Sequence, residues 1–390
     1  MTDQKKKPKA VIVGGSIAGV SCAHTLILAG WDVVVVEKSF AAPTGSPTGA
    51  GLGLDPLALT LIQSWIKEPE LLNKATLPLT IDQNDAIDGE KKVKWTLTRD
   101  EDFNCRAAHW ADLHALLYNA LPPNLFLWGH HFLSFTVSSD KGSVKVKATA
   151  HQTNEIFEIV GDLLVAADGC LSSIRQSFVP DHKLRYSGYC AWRGVLDFSG
   201  NENSETIIGI RKAYPELGKC LYFGLGSGSH TVLYELLNQR LNWIWYVHQP
   251  EPDLKRNSMT TKAGSYVIKN MHKEAEKVWL PEFFGDAAHP TTPHAVRSTN
   301  MSVLDAAVLG QCLKKWGAEN LQSALEEYQS IRLPVVSKQV LHSRRMGRIK
   351  QGLVLPDRPS FDPKTANSEE CQELQQRLMP FFSDVPAILL

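Results

Sequence analysis

Apolar residues near the start of the chain form two short runs, separated by a stretch with helical spacing. Residues 10–13 are a β-branched run, residues 17–29 place their apolar positions at helical intervals, and residues 31–36 form a second run. A strand that is apolar at every position is buried on both faces, which is typical of parallel sheets in α/β layers. The pattern therefore predicts a strand–helix–strand unit.

Further along the chain, helical and strand-like segments alternate. The sequence predicts helices over 50–75 and 109–121, strands over 91–98, 125–148, 155–160 and 162–167, an antiparallel sheet over 186–247, and helices over 286–348 interrupted at Pro290, Pro293 and Pro334. The segment 186–247 is rich in aromatic and β-branched residues, which favour strands. We therefore expect an α/β unit and a second, mainly antiparallel unit.

Composition excludes several classes of protein. Lys plus Arg and Asp plus Glu both number 41, so the net charge is zero and no positive field favours nucleic acid or an anionic membrane. No apolar run reaches the roughly 18 to 20 residues that span a bilayer. The seven cysteines stand singly without a CxxC pattern, so no metal site is expected. With no targeting signal recognised, a cytoplasmic location is the default expectation.

A glycine-rich turn follows the first predicted strand and opens the first helix. Gly14 permits a tight turn, Gly19 permits close packing of helix on strand, and Glu37 ends the next strand, where it would accept hydrogen bonds from a ribose. The turn by itself also occurs as a purely structural feature, and it leaves NAD and FAD open. The predicted nucleotide contacts are Gly14, Gly15, Ser16, Ile17, Ala18, Gly19, Glu37 and Lys38.

Two later motifs bear on that choice. Asp168 to Arg175 follows a buried apolar run, and Gly285-Asp286 precedes a predicted helix that carries Asn300. Taken singly, Asp168-Gly169 reads as a turn and Asp286 as a helix N-cap. The order of all three motifs along one chain is much more specific than any one of them.

With these motifs the sequence resembles the class A flavin-dependent aromatic hydroxylases, whose pattern is GxGxxG, then DGxxSxxR, then GD before a late helix. Within that family it is similar to the dihydroxypyridine and hydroxynicotinate hydroxylase-like branch and its plant relatives. The branch resemblance is carried by residues 49–54, residues 189–194, Tyr328, Arg332 and Pro334.

The resemblance implies an α/β Rossmann-type FAD-binding domain with an inserted, mainly antiparallel β-sheet substrate domain. Residues 8–180 together with 285–350 would form the discontinuous FAD-binding domain, 181–284 a shortened substrate domain, and 351–390 a C-terminal extension. The further cofactor contacts that it implies are Gly51, Arg106, Asp168, Gly285, Asp286 and Asn300.

The resemblance also implies the reaction. NADH or NADPH would reduce FAD, molecular oxygen would add to form a C4a-hydroperoxide, and one oxygen would pass to a small phenolic or hydroxylated N-heteroaromatic compound. Because the chemistry is centred on the flavin, no catalytic side chain is assigned; His289, Pro293 and Arg193 are possible pocket residues. His289 as a catalytic base and Arg193 as a solvated or salt-bridged residue are the alternatives. A homodimer is one option for assembly.

Besides Ser16, which stands at the middle glycine of GxGxxG, the chain departs from the family pattern at three places. Trp110 stands where many members carry a phosphate-contacting arginine, for which Arg106 is a candidate replacement, and residues 296–298 replace a Gly-Gln-Gly. Residues 279–284 lead directly into Gly285, where family members are longer. The alternative function is therefore a truncated, non-catalytic flavoprotein-like paralogue or splice variant with weakened FAD affinity and a binding or regulatory role.

Overall fold

The fold was analysed in a computed structural model, which describes residues 7–43, 49–253, 265–277, 297–378 and 385–389. The strands are β1 (Lys9–Val13), β2 (Asp32–Glu37), β3 (Gly51–Leu54), β4 (Thr76–Leu79), β5 (Ile81–Asp88), β6 (Val93–Asp100), β7 (Cys105–His109), β8 (Phe126–Trp128), β9 (His130–Val137), β10 (Val144–Ala150), β11 (Ile156–Gly161), β12 (Leu163–Ala166), β13 (Tyr189–Asp197), β14 (Cys220–Gly226), β15 (Ser229–Leu236) and β16 (Arg240–His248). The helices are α1 (Ile17–Leu28), α2 (Pro56–Trp65), α3 (Glu70–Ala75), α4 (Trp110–Asn119), α5 (Ser173–Phe178), α6 (Glu205–Ala213), α7 (Ser265–Lys277), α8 (Arg297–Trp316), α9 (Leu321–Lys350) and α10 (Ser368–Gln372).

The predicted strand–helix–strand unit is the centre of a parallel sheet. Its strand order is β12-β1-β2-β8, and β1 pairs in parallel with both β2 and β12. One face of the sheet is covered by α1, whose packing against α8 encloses a core with fully buried Ile12 and Leu26. The α/β architecture expected from the apolar runs is thus present.

The largest sheet in the described part of the chain has six strands, in the order β13-β16-β15-β14-β5-β6. Its pairs are antiparallel except for β14 with β5, which run parallel. The predicted domain division places residues 81–100 with the FAD-binding unit, whereas β5 and β6 join the sheet formed by 189–248. The two units therefore interleave along the chain.

Two smaller antiparallel sheets flank these. One has the order β11-β10-β9, and the other, β3-β7-β4, lies beside the parallel sheet at the start of α4. Strand β3 reaches the six-stranded sheet, because Gly51 N donates a 2.8 Å hydrogen bond to the Asn242 side chain on β16. This contact brings the two units together.

The prediction that Pro334 interrupts the late helical region is wrong, since α9 runs through it without a break. Proline lacks the N–H that would bond to the carbonyl of Ser330. Both Pro334 and Ser330 are exposed, so water can satisfy that carbonyl. No helix within the described ranges is long and apolar enough to cross a membrane.

Candidate flavin and substrate site

The turn between β1 and α1 is closed too tightly for side chains. Gly14 has φ of +104°, and a Cβ there would lie 2.2 Å from the carbonyl oxygen of Ala167. A Cβ at Gly19 would lie only 1.8 Å from the carbonyl oxygen of Gly14. Glycine is therefore required at both positions for a steric reason, which is the role that the motif predicts.

The N-terminus of α1 presents backbone N–H groups to an anion. Ser16 is its N-cap residue, but the hydroxyl does not cap the helix and instead accepts a 3.3 Å hydrogen bond from Trp110 Nε1. The first turn has no acidic side chain, so its N–H groups and the positive end of the helix dipole suit a pyrophosphate. The glycines, Ser16, Ile17 and Ala18 form this turn as predicted.

Glu37 lies next to the same turn. Its carboxylate accepts hydrogen bonds from Gly15 N at 2.6 Å and from Ser39 N at 2.8 Å. Lys38 follows it at the carboxyl end of β2 and is exposed. His114 on α4 supports the turn from below, since its Nε2 donates to the carbonyl oxygen of Gly15 at 2.7 Å. Burial lowers the pKa of His114, so the ring is neutral at pH 7.

Asp168 follows β12, directly after the residue that contacts Gly14. Its Oδ2 accepts long hydrogen bonds of 3.4 Å from Ser173 Oγ and Ile174 N. Its Oδ1 is buried and has no hydrogen-bond partner among the residues that the structure describes. An unsatisfied acceptor is costly unless a ligand donor reaches it. With the glycine turn and the uncapped helix, this acceptor makes the site fit a dinucleotide such as FAD.

Strand β3 approaches the six-stranded sheet so closely that Gly51 has no room for a side chain. A Cβ there would lie 2.6 Å from the hydroxyl of Tyr234 and 2.7 Å from Cγ of Asn242. Asn300, at the start of α8, holds the same strand: its Nδ2 donates to the carbonyl oxygen of Gly53 at 3.0 Å, and its Oδ1 accepts from Asp55 N at 3.2 Å. Of the two predicted cofactor contacts, Gly51 lets β3 approach the sheet and Asn300 holds β3 in place.

Arg106 has partners other than the predicted phosphate. Its Nε donates to Thr76 Oγ1 at 2.6 Å and its Nη2 to the Thr76 carbonyl at 2.8 Å, so it joins β7 to β4. Trp110, which stands at the family's arginine position, makes the contact to Ser16. In this chain an indole rather than a guanidinium lies beside the α1 N-terminus.

Arg193 lies on the face of the six-stranded sheet that β3 approaches. The register of β13, β16 and β15 places Arg193, Asn242, Tyr246 and Tyr234 on this same face. Burial lowers the pKa of Arg193 to about 10 and raises the pKa of both tyrosines above its ordinary value. At pH 7 the arginine is charged and the tyrosines are neutral. This half-buried position argues against a fully solvated Arg193, while its roles as a pocket residue or as a salt-bridged residue stay predictions.

The sequence did not identify Tyr234, Asn242, Tyr246 or His230 as site residues. His230 and Tyr234 lie four residues apart on β15, and Asn242 and Tyr246 lie four apart on β16. An even spacing places residues of one strand on the same face, so only this spacing could have marked them. The predicted residues Gly285, Asp286, His289 and Pro293, and the shortened segment 279–284, lie outside the described residues.

Comparison with known proteins supports the same interpretation. A family model for the FAD binding domain matches residues 7–183. The chain is 26% identical over 386 residues to 3-hydroxybenzoate 6-hydroxylase of Polaromonas naphthalenivorans, covering 90% of each protein. It is 25% identical over 376 residues to 6-hydroxynicotinate 3-monooxygenase of Pseudomonas fluorescens, covering 85% of this chain and 89% of that protein.

A solved structure has the same fold. The 2,6-dihydroxypyridine-3-hydroxylase from Arthrobacter nicotinovorans superimposes with a TM-score of 0.70 at 19% identity, covering 92% of this chain and 97% of that one. The predicted fold class is confirmed. Residues 7–183 match the FAD binding domain family, and the chain is similar over most of its length to flavin-dependent aromatic hydroxylases, a class of monooxygenases. Residues 7–183 carry its FAD-binding domain, so the predicted cofactor FAD is confirmed as well.

Proposed function

We propose that the protein uses NADH or NADPH and molecular oxygen to hydroxylate a small phenolic or hydroxylated N-heteroaromatic compound. One oxygen atom enters the ring and the other leaves as water, while the nicotinamide is oxidised and the ring C–H becomes C–OH. FAD, when bound, supplies the redox chemistry that the amino acids lack. The protein must bind the cofactor, orient the ring and exclude water.

The observation that carries the proposal is the contact between β3 and the polar face of the six-stranded sheet. Gly51, a cofactor contact that the family resemblance implies, donates to Asn242 and lies close to the Tyr234 hydroxyl. Arg193 shares their face of the sheet. A ring bound against this face would therefore lie between the charged arginine and the flavin-facing strand.

The electrostatics of this face favour an anionic or electron-rich oxygen. Arg193 carries a positive charge on a face that is largely buried, so it attracts a phenolate or carboxylate oxygen of a substrate. Tyr234 and Tyr246 stay protonated and can donate hydrogen bonds. His230 is neutral, because burial lowers its pKa, and its Nδ1 is engaged by Gln351 Nε2 at 2.7 Å.

The relatives act, by name, on a hydroxybenzoate and a hydroxynicotinate, which combine a ring hydroxyl with a carboxylate. The half-buried Arg193 on this sheet face suits the same chemical class. We propose that this protein takes a hydroxylated aromatic or N-heteroaromatic ring that carries an anionic oxygen.

The first experiment is the visible spectrum of the purified protein, before and after FAD is added and the excess removed. We expect flavin bands that remain bound, and NADH or NADPH oxidation that hydroxylated aromatic acids stimulate. Arg193→Gln should raise KM for the stimulating compound about tenfold or more, whereas Arg211→Gln, on the surface helix α6, should not. Bound flavin without substrate-stimulated oxidation would contradict the proposal. A colourless protein that cannot be reconstituted would favour the truncated, non-catalytic alternative.

A further inference from the structure

A cavity lies behind the contact between α8 and β3, away from the six-stranded sheet. Its volume is about 190 Å³, and its walls come from α2, α8, α9 and the segment at Val385 and Pro386. Most of the lining is apolar, including Ala58, Leu304 and Val335. An apolar cavity of about 150 Å³ in another protein accepts benzene, so this one has room for a six-membered ring with a substituent.

The side chain of Arg332 forms part of the wall, among four polar residues that line the cavity. Arg332, on α9, is 2% exposed, and its Nε donates to Asp305 Oδ1 at 2.7 Å. Among the residues that the structure describes, its Nη2 has only the sulfur of Met301, at 3.7 Å, which is a weak acceptor. Its Nη1 is buried with no acceptor in the described ranges. A buried guanidinium donor in a cavity wall calls for an acceptor from a ligand.

Charge balance selects the kind of acceptor. Asp305 already neutralises Arg332, and burial raises the pKa of that carboxyl while the arginine opposes the rise. Asp55 also lies in the wall, and its carboxylate caps α2 by accepting from Ala58 N at 2.8 Å. An anionic ligand would add a third negative group beside one cation, which a low-dielectric site disfavours. A neutral carbonyl oxygen satisfies the donor without that cost.

We propose that this cavity is a binding site for a small, neutral, mainly apolar molecule with one carbonyl oxygen, which accepts a hydrogen bond from Arg332. The site is separate from the polar sheet face. It adjoins the flavin-facing strand through Asn300 and Asp55, which line the cavity and bond to each other. A ligand there would contact the residues that fix β3.

The test uses three probes that share one ring: cyclohexanone, cyclohexanecarboxylate and methylcyclohexane. Binding to the FAD-loaded protein is followed by calorimetry and by the shift in Tm. We expect cyclohexanone to bind at least about tenfold more tightly than either of the others, the ratio that one buried hydrogen bond supplies. Arg332→Lys keeps a cation opposite Asp305 and should lose about tenfold in cyclohexanone affinity.

The second part of the test fills the cavity with a larger side chain. Val335→Phe should abolish cyclohexanone binding, whereas Val340→Phe, on the same helix but 61% exposed, should leave it unchanged. Arg193→Gln should also leave it unchanged, which separates this cavity from the sheet face. The proposal is overturned if the carboxylate binds more tightly than the ketone, if no probe binds, or if Val335→Phe binds the ketone as the wild type does. The melting temperature of each variant shows that it is folded.

Discussion

The β1–α1 turn and the buried face of β5 are built in opposite ways, the first from backbone without side chains and the second from buried polar side chains. The turn is made of backbone: its glycines have no side chains, and no side chain caps the first N–H groups of α1. On β5, Asp82 and Asn84 are fully buried side chains. Lys350, at the end of α9, donates to Asn84 Oδ1 at 3.3 Å, and Gln376 N donates to Asp82 Oδ2 at 2.6 Å.

The difference lies in what each region tolerates. The turn depends on empty space, so adding one methyl group should destroy it, while the chemistry of nearby surface residues matters little. The β5 cluster, formed by Asp82, Asn84 and Lys350, depends on charge matching, because its charged groups have little solvent around them. The Lys350 ammonium lies 3.4 Å from the centre of the Phe223 ring. Removing one charge there should be far worse than removing both.

The largest effect is expected for Gly19→Ala. Its Cβ would meet the Gly14 carbonyl oxygen at 1.8 Å, so the turn must open. We expect FAD affinity to fall by more than about a hundredfold, measured by fluorescence titration of the apoprotein. Gly209→Ala is the matched control, because it is also a helical glycine but has nothing within 4 Å of an added Cβ. It should bind FAD normally and be neutral or slightly more stable.

The next effect tests the charge cluster. Lys350→Met should lower the free energy of unfolding at pH 7 by about 3–5 kcal/mol, because it leaves Asp82 buried without its cation. The pair of substitutions Asp82→Asn and Lys350→Met should restore most of that loss. Lys315→Met, at a surface ion pair with Glu327, should cost less than about 1 kcal/mol. Equal costs for Lys350→Met and Lys315→Met in urea unfolding would contradict the comparison.

The same cluster predicts a pH dependence. Burial raises the pKa of Asp82 from 3.8 to about 6 and lowers that of Lys350 from 10.5 to about 8. The folded protein therefore binds the Asp82 proton more tightly than the unfolded chain, so this contribution to stability is lost as pH rises from 3.8 to about 6. Lys350 loses its proton more easily when folded, so stability falls as pH decreases from 10.5 to about 8.

Both slopes should disappear in the doubly substituted protein, Asp82→Asn with Lys350→Met. The measurement is the free energy of unfolding in urea across these two pH windows, with wild type and double variant compared at each pH. Identical pH profiles for the two proteins would show that the cluster does not titrate in this way.

A smaller effect is expected at the contact that joins the two units. Asn242→Ala removes the acceptor of the Gly51 N–H, which is partly buried, and should cost about 1–3 kcal/mol. Asn320→Ala, an exposed asparagine whose amide donates to the Trp316 carbonyl, should cost less than about 0.5 kcal/mol. Because β3 faces the predicted flavin position, the absorption maximum of bound FAD should also shift in Asn242→Ala and not in the control.

The smallest effect is expected for Glu37→Gln. The amide keeps one acceptor oxygen for Gly15 N or Ser39 N but places a donor opposite the other. FAD affinity should fall about threefold to tenfold, with a change in stability of about 1 kcal/mol. Glu155→Gln, an exposed glutamate, is the control and should leave FAD affinity unchanged. A hundredfold loss in Glu37→Gln would mean that the charge of Glu37, and not the geometry of the turn, dominates FAD binding.

The β1–α1 turn could be predicted from the sequence because the residues that form it are close together along the chain. Gly14, Gly19 and Glu37 lie within 24 residues, and each has a steric or hydrogen-bonding reason that neighbouring residues supply. Strand β5 was not predicted, because its sequence IDQNDAID is rich in Asp and Asn, which disfavour strands. Its charges are compensated by Lys350, Lys364 and the 375–377 segment, more than 250 residues away. No local pattern shows such partners.

At Pro334 the local sequence predicts a helix end that the structure does not have, again because distant packing decides the outcome. Local rules place a helix end there, but the cost of the missing N–H depends on whether the freed carbonyl can reach water. Its exposure depends on how α9 packs on α8, where the buried Arg332 guanidinium pairs with Asp305. Arg193 likewise could not be assigned from one strand, since its neighbours on the sheet face come from β15 and β16.

The parallel pairing of β5 with β14 has a consequence for synthesis. Residues Ile81 and Cys220 are partners in the sheet, so β5 and β6 leave the ribosome long before β14 exists to cover the edge of β5. An uncovered edge that is flat and apolar invites pairing with another chain. The carboxylates of Asp82, Asp85 and Asp88 would repel such a partner during that interval. The residues that make this strand hard to recognise should therefore also keep the nascent chain from aggregating.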